Sequence, residues 1–304
     1  MKKVSVALAT YNGAFFLTEQ LQSLVDQTHL PTQVILCDDG STDDTLQIAT
    51  RFSTELPLRI IRNGKSLGVV ENFKKAVSLC TGEYIALCDQ DDVWYPDKLE
   101  QSVAMLASID GDVPALIYSD LEVVDKELNT VASSFWQLTA RKPSDIDFVK
   151  LLLGNVVTGC TVMMNQTMAI EMQRMPEGVE MHDFWLALIA YGIGHCAYID
   201  KPTIKYRQHG SNVTSTEQIN IQTKLSQTGR FLLDSAYAST YKLDAIRQGE
   251  RFFDLYGDRL SIYNRKALEN IIALKAKHPL LRKMYVMNIK YLSKRWRNDI
   301  YPKN

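Results

Sequence analysis

Apolar and polar positions along the chain fall into blocks that switch between two periods. Residues 4–9 are an unbroken run of small and β-branched apolar side chains, which predicts a buried strand. Thr10-Tyr11-Asn12-Gly13 ends the run as a turn, with Gly13 free to take positive φ. Leu17, Leu21, Leu24 and Val25 then share one face of a helix that ends near Gln27. The cycle repeats. Residues 34–37 make a second strand running into Asp38-Asp39-Gly40-Ser41, where Ser41 is the expected N-cap of a helix carrying Leu46, Ala49 and Phe52. Residues 58–61 make a third strand. An Asn63-Gly64 turn follows it, and after Gly68 a helix carries Phe73, Ala76 and Val77. Gly82 closes that helix, and residues 84–88 make a fourth strand ending in Asp89-Gln90-Asp91-Asp92. Pro96 suits the first turn of a further helix through Leu99, Val103 and Leu106.

This β-α-β-α-β-α-β-α order predicts a parallel sheet with helices on both faces, and such sheets bind ligands beyond the carboxyl ends of their strands. Three polar clusters converge on that edge: residues 10–13, 38–41 and 89–92. Carboxylates crowded at the end of a buried strand repel one another. Their use is a divalent cation, and hard oxygen ligands suit Mg²⁺ or Mn²⁺; the plain alternative is an acidic surface turn that caps the next helix. Neither GxxxxGK[ST] nor GxGxxG occurs. The acidic ends fit a nucleotide held through its base and ribose, with its diphosphate held through a metal.

Past residue 110 the pattern is less regular. Residues 115–118 predict a strand, 121–129 a hairpin arm turning near Asp125, 141–147 a polar mobile loop and 148–153 a short amphipathic helix. Thr158-Gly159-Cys160-Thr161 precedes an apolar strand, and Gly159 marks either a bulge or a close backbone approach to a ligand. Met181-His182-Asp183-Phe184-Trp185-Leu186 opens a helix that continues through Leu188 and Ile189. Asp183 reads either as first-turn compensation of the helix dipole or as a general base partly desolvated by Phe184 and Trp185. His195 and Cys196, in the strand-like run 194–199, read as structural. Lys201-Pro202 reads as a turn, and residues 203–208 as a polar strand leading to His209.

Composition narrows the class. A chain of 304 residues accommodates one large α/β domain, alone or with an appendage. A formal net charge of −1 gives no global argument for nucleic acid. Cys37, Cys80, Cys88, Cys160 and Cys196 form no CxxC pair and lie mostly in apolar segments, the pattern of reduced thiols in a cytosolic protein. The apolar run after Lys2-Lys3 breaks at Thr10, so it reads as neither a signal peptide nor a membrane span. Beyond Thr214 strand signals stop and helical patterns follow, such as Leu225, Phe231, Leu232 and Leu268, Ile271, Ile272. From Lys275 onward Lys277, Arg282, Lys283, Lys290, Lys294, Arg295, Arg297 and Lys303 face Asp299 alone, with Tyr285, Tyr291, Trp296 and Tyr301 among them. These basic helices read as a solvated face or as a dock for an anionic membrane surface; nothing else supports nucleic acid.

Val4-Ser5-Val6-Ala7-Leu8-Ala9-Thr10-Tyr11-Asn12, Asp38-Asp39-Gly40-Ser41-Thr42-Asp43 and Asp89-Gln90-Asp91-Asp92-Val93-Trp94, in this order and spacing, resemble the family 2 glycosyltransferases of GT-A fold over about residues 2–214. The last motif, with His182-Asp183-Phe184-Trp185 and Tyr206-Arg207-Gln208-His209-Gly210-Ser211-Asn212-Val213, is most similar to the rhamnosyltransferases of bacterial cell-wall and O-antigen polysaccharide assembly. The resemblance implies a Rossmann-like α/β domain with a mixed sheet flanked by helices over residues 1–214. It divides into a nucleotide-binding half, 1–110, and an acceptor half, 111–214, and a helical extension follows over 215–304. It implies donor nucleotide contacts from Ala9, Thr10, Tyr11, Asn12, Asp38, Asp39, Asn72, Asp89 and Gln90, and metal ligation by Asp89, Asp91 and His209. It places the catalytic base at Asp183 and acceptor or sugar contacts at Asp92, Trp94, Gly159, His182 and Trp185; many relatives carry an acid where this chain has His182.

The reaction so implied is an inverting, metal-dependent transfer of a sugar to a hydroxyl of a lipid-linked or growing bacterial polysaccharide. The first choice of donor is dTDP-β-L-rhamnose, with a UDP-hexose as alternative. The enzyme is expected in the cytoplasm, peripheral at the inner face of the cell membrane, with a homo-oligomer left open. A nucleotidyltransferase would share the parallel sheet and acidic metal ligands, but its glycine- and basic-rich loop after the first strand is replaced here by Thr10-Tyr11-Asn12-Gly13. A lectin-like role would not need Asp183.

Overall fold

The computed structural model describes residues 2–109, 111–209 and 242–288. The first half follows the predicted alternation: β1 (Val4–Thr10), α1 (Leu17–Val25), β2 (Gln33–Asp38), α2 (Thr45–Arg51), β3 (Leu58–Arg62), α3 (Val69–Ser78) and β4 (Tyr84–Cys88). Then come β5 (Val93–Trp94), α4 (Lys98–Ala107), β6 (Ala115–Val124), β7 (Thr130–Ala132), α5 (Phe135–Leu138), α6 (Phe148–Leu151), β8 (Met163–Asn165), α7 (Gln166–Gln173), α8 (His182–Ile193) and β9 (His195–Arg207). The last described helices are α9 (Leu243–Tyr256), α10 (Ile262–Ile272) and α11 (Pro279–Met287).

One mixed sheet runs in the order β3-β2-β1-β4-β8-β6-β9-β5, with β7 paired to β6. The first four strands are parallel, and every residue of β1 and β4 is buried, as strands covered on both faces must be. β8 then runs antiparallel between β4 and β6, while β6 and β9 are parallel to each other. The sheet thus has two halves, and the carboxyl end of β4 lies at their junction.

Four local expectations are corrected. Asp44, not Ser41, precedes α2, because the Ser41 hydroxyl is spent on Asp38 and on the Asn12 amide. Positive φ falls at Asn12 (47°) rather than Gly13. Gly13 instead leaves room for Gln90: a Cβ there would sit 2.2 Å from Gln90 Oε1, so that side chain would have to move. Lys201-Pro202 makes no turn, since β9 runs straight through it. The register against β6 jumps from Ser119↔Ile199 to Asp120↔Pro202, and the irregularity accommodates a proline with no amide to give. α6 also stops at Leu151, short of the predicted end at 153.

The helices after residue 242 join the main core. Phe252 of α9 packs on Trp185 of α8 (ring centroids 5.5 Å) and on Phe148 of α6 (5.7 Å). The proposed boundary at 214/215, the helices around Leu225 and Phe231, and the basic residues past 288 lie outside the described residues. Among the described residues no helix is long and apolar enough to cross a membrane. All five cysteines are free thiols, four of them buried.

Candidate active site

The loops after β1, β2 and β4 interlock. Asp38, fully buried, accepts from Thr10 Oγ1 (3.2 Å), from the amides of Gly40 (3.1 Å) and Ser41 (2.9 Å), and from the Ser41 hydroxyl. Asn12 Oδ1 accepts from the Thr42 amide (2.9 Å), and the Gly13 amide donates to Thr45 Oγ1 (2.9 Å). Gln90 clamps the Tyr11 backbone, accepting its N–H (2.8 Å) and donating to its carbonyl (3.1 Å). Of the residues expected to hold a nucleotide, Thr10, Asn12, Asp38 and Gln90 are therefore engaged in shaping these loops. Ala9 lies buried in β1, and Tyr11, 56% exposed, presents its ring to solvent.

Asp39 is saturated. Oδ1 accepts from Asn63 Nδ2 (2.8 Å) and the Leu67 amide (2.7 Å), and Oδ2 from Ser66 Oγ (2.7 Å) and the Gly68 amide (2.9 Å). Burial works against its charge, but those four donors together hold the carboxyl below its ordinary range. Asn72 stands behind this arrangement, donating to the Cys37 carbonyl (2.8 Å) and accepting from Asn63 (2.9 Å); it is buried and supports Asn63 rather than facing a ligand. The result is a cleft of about 550 Å³ lined by Tyr11, Asp39, Arg62, Lys65 and Ser66 among others, a volume in the range of small-molecule sites.

At the end of β4 the acidic loop splits. Asp91 Oδ2 meets His209 Nε2 at 2.8 Å, and the His209 ring stacks on Phe16 (4.5 Å). Arg207, 1% exposed, locks this arrangement. Its Nε donates to the Asp91 carbonyl (2.9 Å), one terminal nitrogen to the Lys126 carbonyl (2.6 Å), and the other pairs with Glu19. Asp92 turns inward instead. It is fully buried, Oδ1 accepts the Arg207 amide (3.2 Å), and it lies with Cys160 and Asp89 in a group whose ligand atoms fall within 4.8 Å of one another. Beneath it Lys98, also fully buried, places its ammonium over the Trp94 ring, 4.4 Å from the centroid.

The electrostatics follow from this crowding. Burial, then the charges of Asp91 and Asp183, push Asp89 up to about 8. Burial also drives Asp92 and the Cys160 thiol well up, and brings Lys98 down to about 8. A group this short of positive charge suits a cation. Two ligands at right angles on an ion with bonds near 2.1 Å lie roughly 3 Å apart, close to the Asp91–His209 separation of 2.8 Å. Asp91 and His209 thus offer two ligand atoms at the spacing a Mg²⁺ or Mn²⁺ ion requires, while the three-residue group that converges among the described residues is Asp89, Asp92 and Cys160, of which Asp92 and Cys160 face the core and favour their protonated forms.

Asp183 opens α8 across from Asp89. It accepts from the amides of Gly159 (3.1 Å) and Phe184 (2.6 Å). Burial raises its carboxyl to about 6, against the pull of those amides and of Arg141. Gly159 is there for close approach: a Cβ would lie 3.0 Å from His182 Nε2 and 3.6 Å from Asp183 Cβ. His182 is buried against Phe73 (4.5 Å between rings), with both ring nitrogens unpaired, and burial lowers it to about 4, so it stays neutral.

Three residues expected at the acceptor are placed elsewhere. Asp92, Trp94 and Trp185 are 0%, 2% and 0% exposed, and Trp185 packs on Phe252 and Tyr256 in the core, so none offers a surface to a saccharide. Sequence reasoning did not single out Lys98, Phe16, Glu19 or the bridging role of Arg207. A lysine at a helix start reads as exposed, and Glu19 and Arg207 lie 188 positions apart.

The family described as "Glycosyl transferase family 2" matches residues 5–171. The dTDP-rhamnosyl transferase RfbG of Shigella flexneri is 29% identical over 242 residues, covering 73% of this chain and 78% of that protein. The UDP-Glc:alpha-D-GlcNAc-diphosphoundecaprenol beta-1,3-glucosyltransferase WfgD of Escherichia coli is 24% identical over 247 residues, covering 80% and 92%. Among solved structures, S. aureus TarS 1–349 in complex with UDP-GlcNAc aligns with a TM-score of 0.57 at 17% identity, covering 99% of this chain and 93% of that one. The mannosyltransferase PcManGT from Pyrobaculum calidifontis, in complex with GDP-Man and Mn²⁺, aligns with a TM-score of 0.52 at 16% identity, covering 100% and 88%. At these identities the structural likeness speaks to the GT-A-like fold alone.

Proposed function

The chain belongs to glycosyl transferase family 2, and from that premise we propose that it moves a sugar from a nucleotide diphosphate donor to a hydroxyl of a bacterial polysaccharide, with Asp183 as the base. The observation that carries this is the placement of Asp183, raised to about 6 by burial, across the junction from Asp89 and Asp91 and in the opposite half of the sheet from the Asp39 cleft. The donor nucleotide occupies the cleft beside Tyr11 and Asp39, its diphosphate reaching the end of β4. A divalent cation held by Asp91 and His209, with Asp89 beside them, would offset charge on the departing diphosphate; Mn²⁺ is present in the PcManGT complex.

Asp183 accepts the proton of the acceptor hydroxyl as its oxygen bonds to the anomeric carbon, and the bond from that carbon to the diphosphate oxygen breaks. One base and direct displacement invert the anomeric centre. L-Rhamnose from dTDP-β-L-rhamnose is the donor we favour, on the likeness to RfbG, and the product is then an α-rhamnoside. The catalytic domain ends near residue 214. The basic segment beyond Lys275 docks the enzyme at the inner face of the membrane, near a lipid-linked acceptor. In support, α11 leaves Leu280, Leu281, Met284 and Met287 largely exposed; Arg282, expected among the docking residues, is buried and takes no part.

The test is a panel of dTDP-, UDP- and GDP-sugars with and without Mn²⁺ or Mg²⁺, scored for nucleoside diphosphate release. Release from dTDP-rhamnose with metal is the expected result. Pyrophosphate as the released product would point to nucleotidyl transfer instead. Release from a UDP-hexose alone would keep the reaction class and replace the donor.

A further inference from the structure

Asp183 lies in the first turn of α8, and that turn has no side-chain cap: Met181, the residue before the helix, offers none. The connection from α7, residues 174–181, passes through Gly178 at a left-handed φ of 72°. The end of this connection nearest Asp183 is held by α9, from the far end of the chain. Gln248, 1% exposed, accepts the Glu180 amide through Oε1 (2.8 Å), and Arg251 donates to the Gly178 carbonyl. Gly178 leaves the room that this arginine occupies, since a Cβ there would sit 3.1 Å from Arg251 Nη2.

Gln248, Phe252 and Tyr256 recur every four positions and share one face of α9. Phe252 and Tyr256 pack on Trp185, with ring centroids 5.5 and 6.3 Å away. The helix therefore grips the chain on both sides of Asp183, at Glu180 before it and at Trp185 after it. Packing alone would favour an apolar residue at position 248. Gln248 Nε2 finds no partner among the described residues, and a buried amide short of a hydrogen bond costs free energy. What the glutamine adds is the Oε1 acceptor, and that acceptor meets the peptide three positions before Asp183.

We propose that Gln248, with Arg251 beside it, is a positioning residue for Asp183: by holding the Glu180 amide and the Gly178 carbonyl, α9 sets the start of α8 and so the place of the carboxylate. This rests on the reading of Asp183 as the base. Gln248 touches no reacting atom; it acts through the backbone that carries Asp183.

The experiment compares wild type with Gln248→Met, which keeps the length but loses the acceptor, and with Arg251→Ala. Tyr256→Phe is the control on the same face of α9: it keeps the ring on Trp185 and removes only the hydroxyl that donates to Glu171 of α7 (3.0 Å). Three quantities are read: kcat at saturating acceptor, calorimetric affinity for the nucleoside diphosphate that the wild type releases, and hydrogen exchange of the amides of residues 178–186. Gln248→Met should lower kcat by roughly tenfold or more, the cost of a misplaced catalytic group, and speed exchange in that segment, with diphosphate affinity unchanged. Arg251→Ala should move both in the same direction, and Tyr256→Phe neither. A change in kcat without one in exchange, or the reverse, would overturn the proposal. So would an equal loss of kcat in Tyr256→Phe, or a parallel loss of diphosphate affinity, since either marks a general loosening of the fold. If Asp183→Asn leaves turnover intact, the base assignment falls, while exchange still decides whether α9 holds the segment. Should Gln248→Met fail to fold, the half-buried Arg251→Ala decides alone, and unmoved kcat and exchange there count against the proposal.

Discussion

Asp39 and Asp183 differ by sequence context, but their chemistry is set by what surrounds the two oxygens. Asp39 receives four donors and is held below its ordinary range; Asp183 receives two and is lifted to about 6. A base must be ionised to act, so kcat/KM should fall as pH drops through about 6, the value burial gives Asp183. Asp183→Asn should lower kcat by roughly a hundredfold or more, the usual worth of a positioned base, with donor affinity by calorimetry unchanged. Parallel loss of donor affinity would mark Asp183 as a binding residue. Asp91→Asn removes the charge facing His209 and should leave a folded protein whose nucleotide diphosphate affinity no longer responds to Mn²⁺; a retained response would move the ion to another ligand set. The motif residues themselves were legible in the sequence. Their partners were not: Ser66 lies 27 positions from Asp39, Gly159 24 from Asp183 and His209 118 from Asp91. Only the folded sheet edge brings these together. Lys98 escaped notice because a fully buried lysine runs against its ordinary preference.

At the scale of elements, strands with an uninterrupted apolar run declared themselves, and β1, β2 and β4 appear where the pattern puts them. Direction did not. The three-residue β8 enters antiparallel between β4 and β6, and nothing in Met163-Met164-Asn165 says so. Proline and glycine misled in opposite ways. Pro202 was read as a turn, yet a register irregularity carries it within a thirteen-residue strand. Gly194 was read as the start of a strand, and its role is steric. It ends α8 beside the Pro114 carbonyl, which accepts the His195 amide at 2.9 Å, and a Cβ at Gly194 would sit 2.1 Å from that carbonyl oxygen. Gly194→Ala should therefore destabilise the fold by about 1–3 kcal/mol, the cost of forcing extra volume into a packed site, seen as a lower midpoint in urea. An unchanged midpoint would show that α8 and β9 can part there without loss.

The whole molecule divides its tasks between two halves of one sheet. The parallel half builds the Asp39 cleft, the mixed half supplies Asp183, His209 and Arg207, and β4 delivers the acidic loop to the seam. A near-neutral chain whose positive charge collects past Lys275 also carries exposed Leu280, Leu281, Met284 and Met287 on α11. Basic residues near an anionic surface contribute about 1 kcal/mol each. Replacing Lys277 and Lys283 together with Lys290, Lys294, Arg295 and Arg297 by Gln should weaken binding to anionic vesicles, as should added salt, with activity on a short soluble acceptor retained. Binding indifferent to both would return these helices to a packing or oligomer role. The central claim, one base acting in one displacement, is tested most directly by proton NMR of the product formed from whichever donor turns over. The account predicts an anomeric centre inverted relative to the donor, α from β for rhamnose. A retained configuration would contradict it, because retention needs a second displacement for which this arrangement assigns no nucleophile.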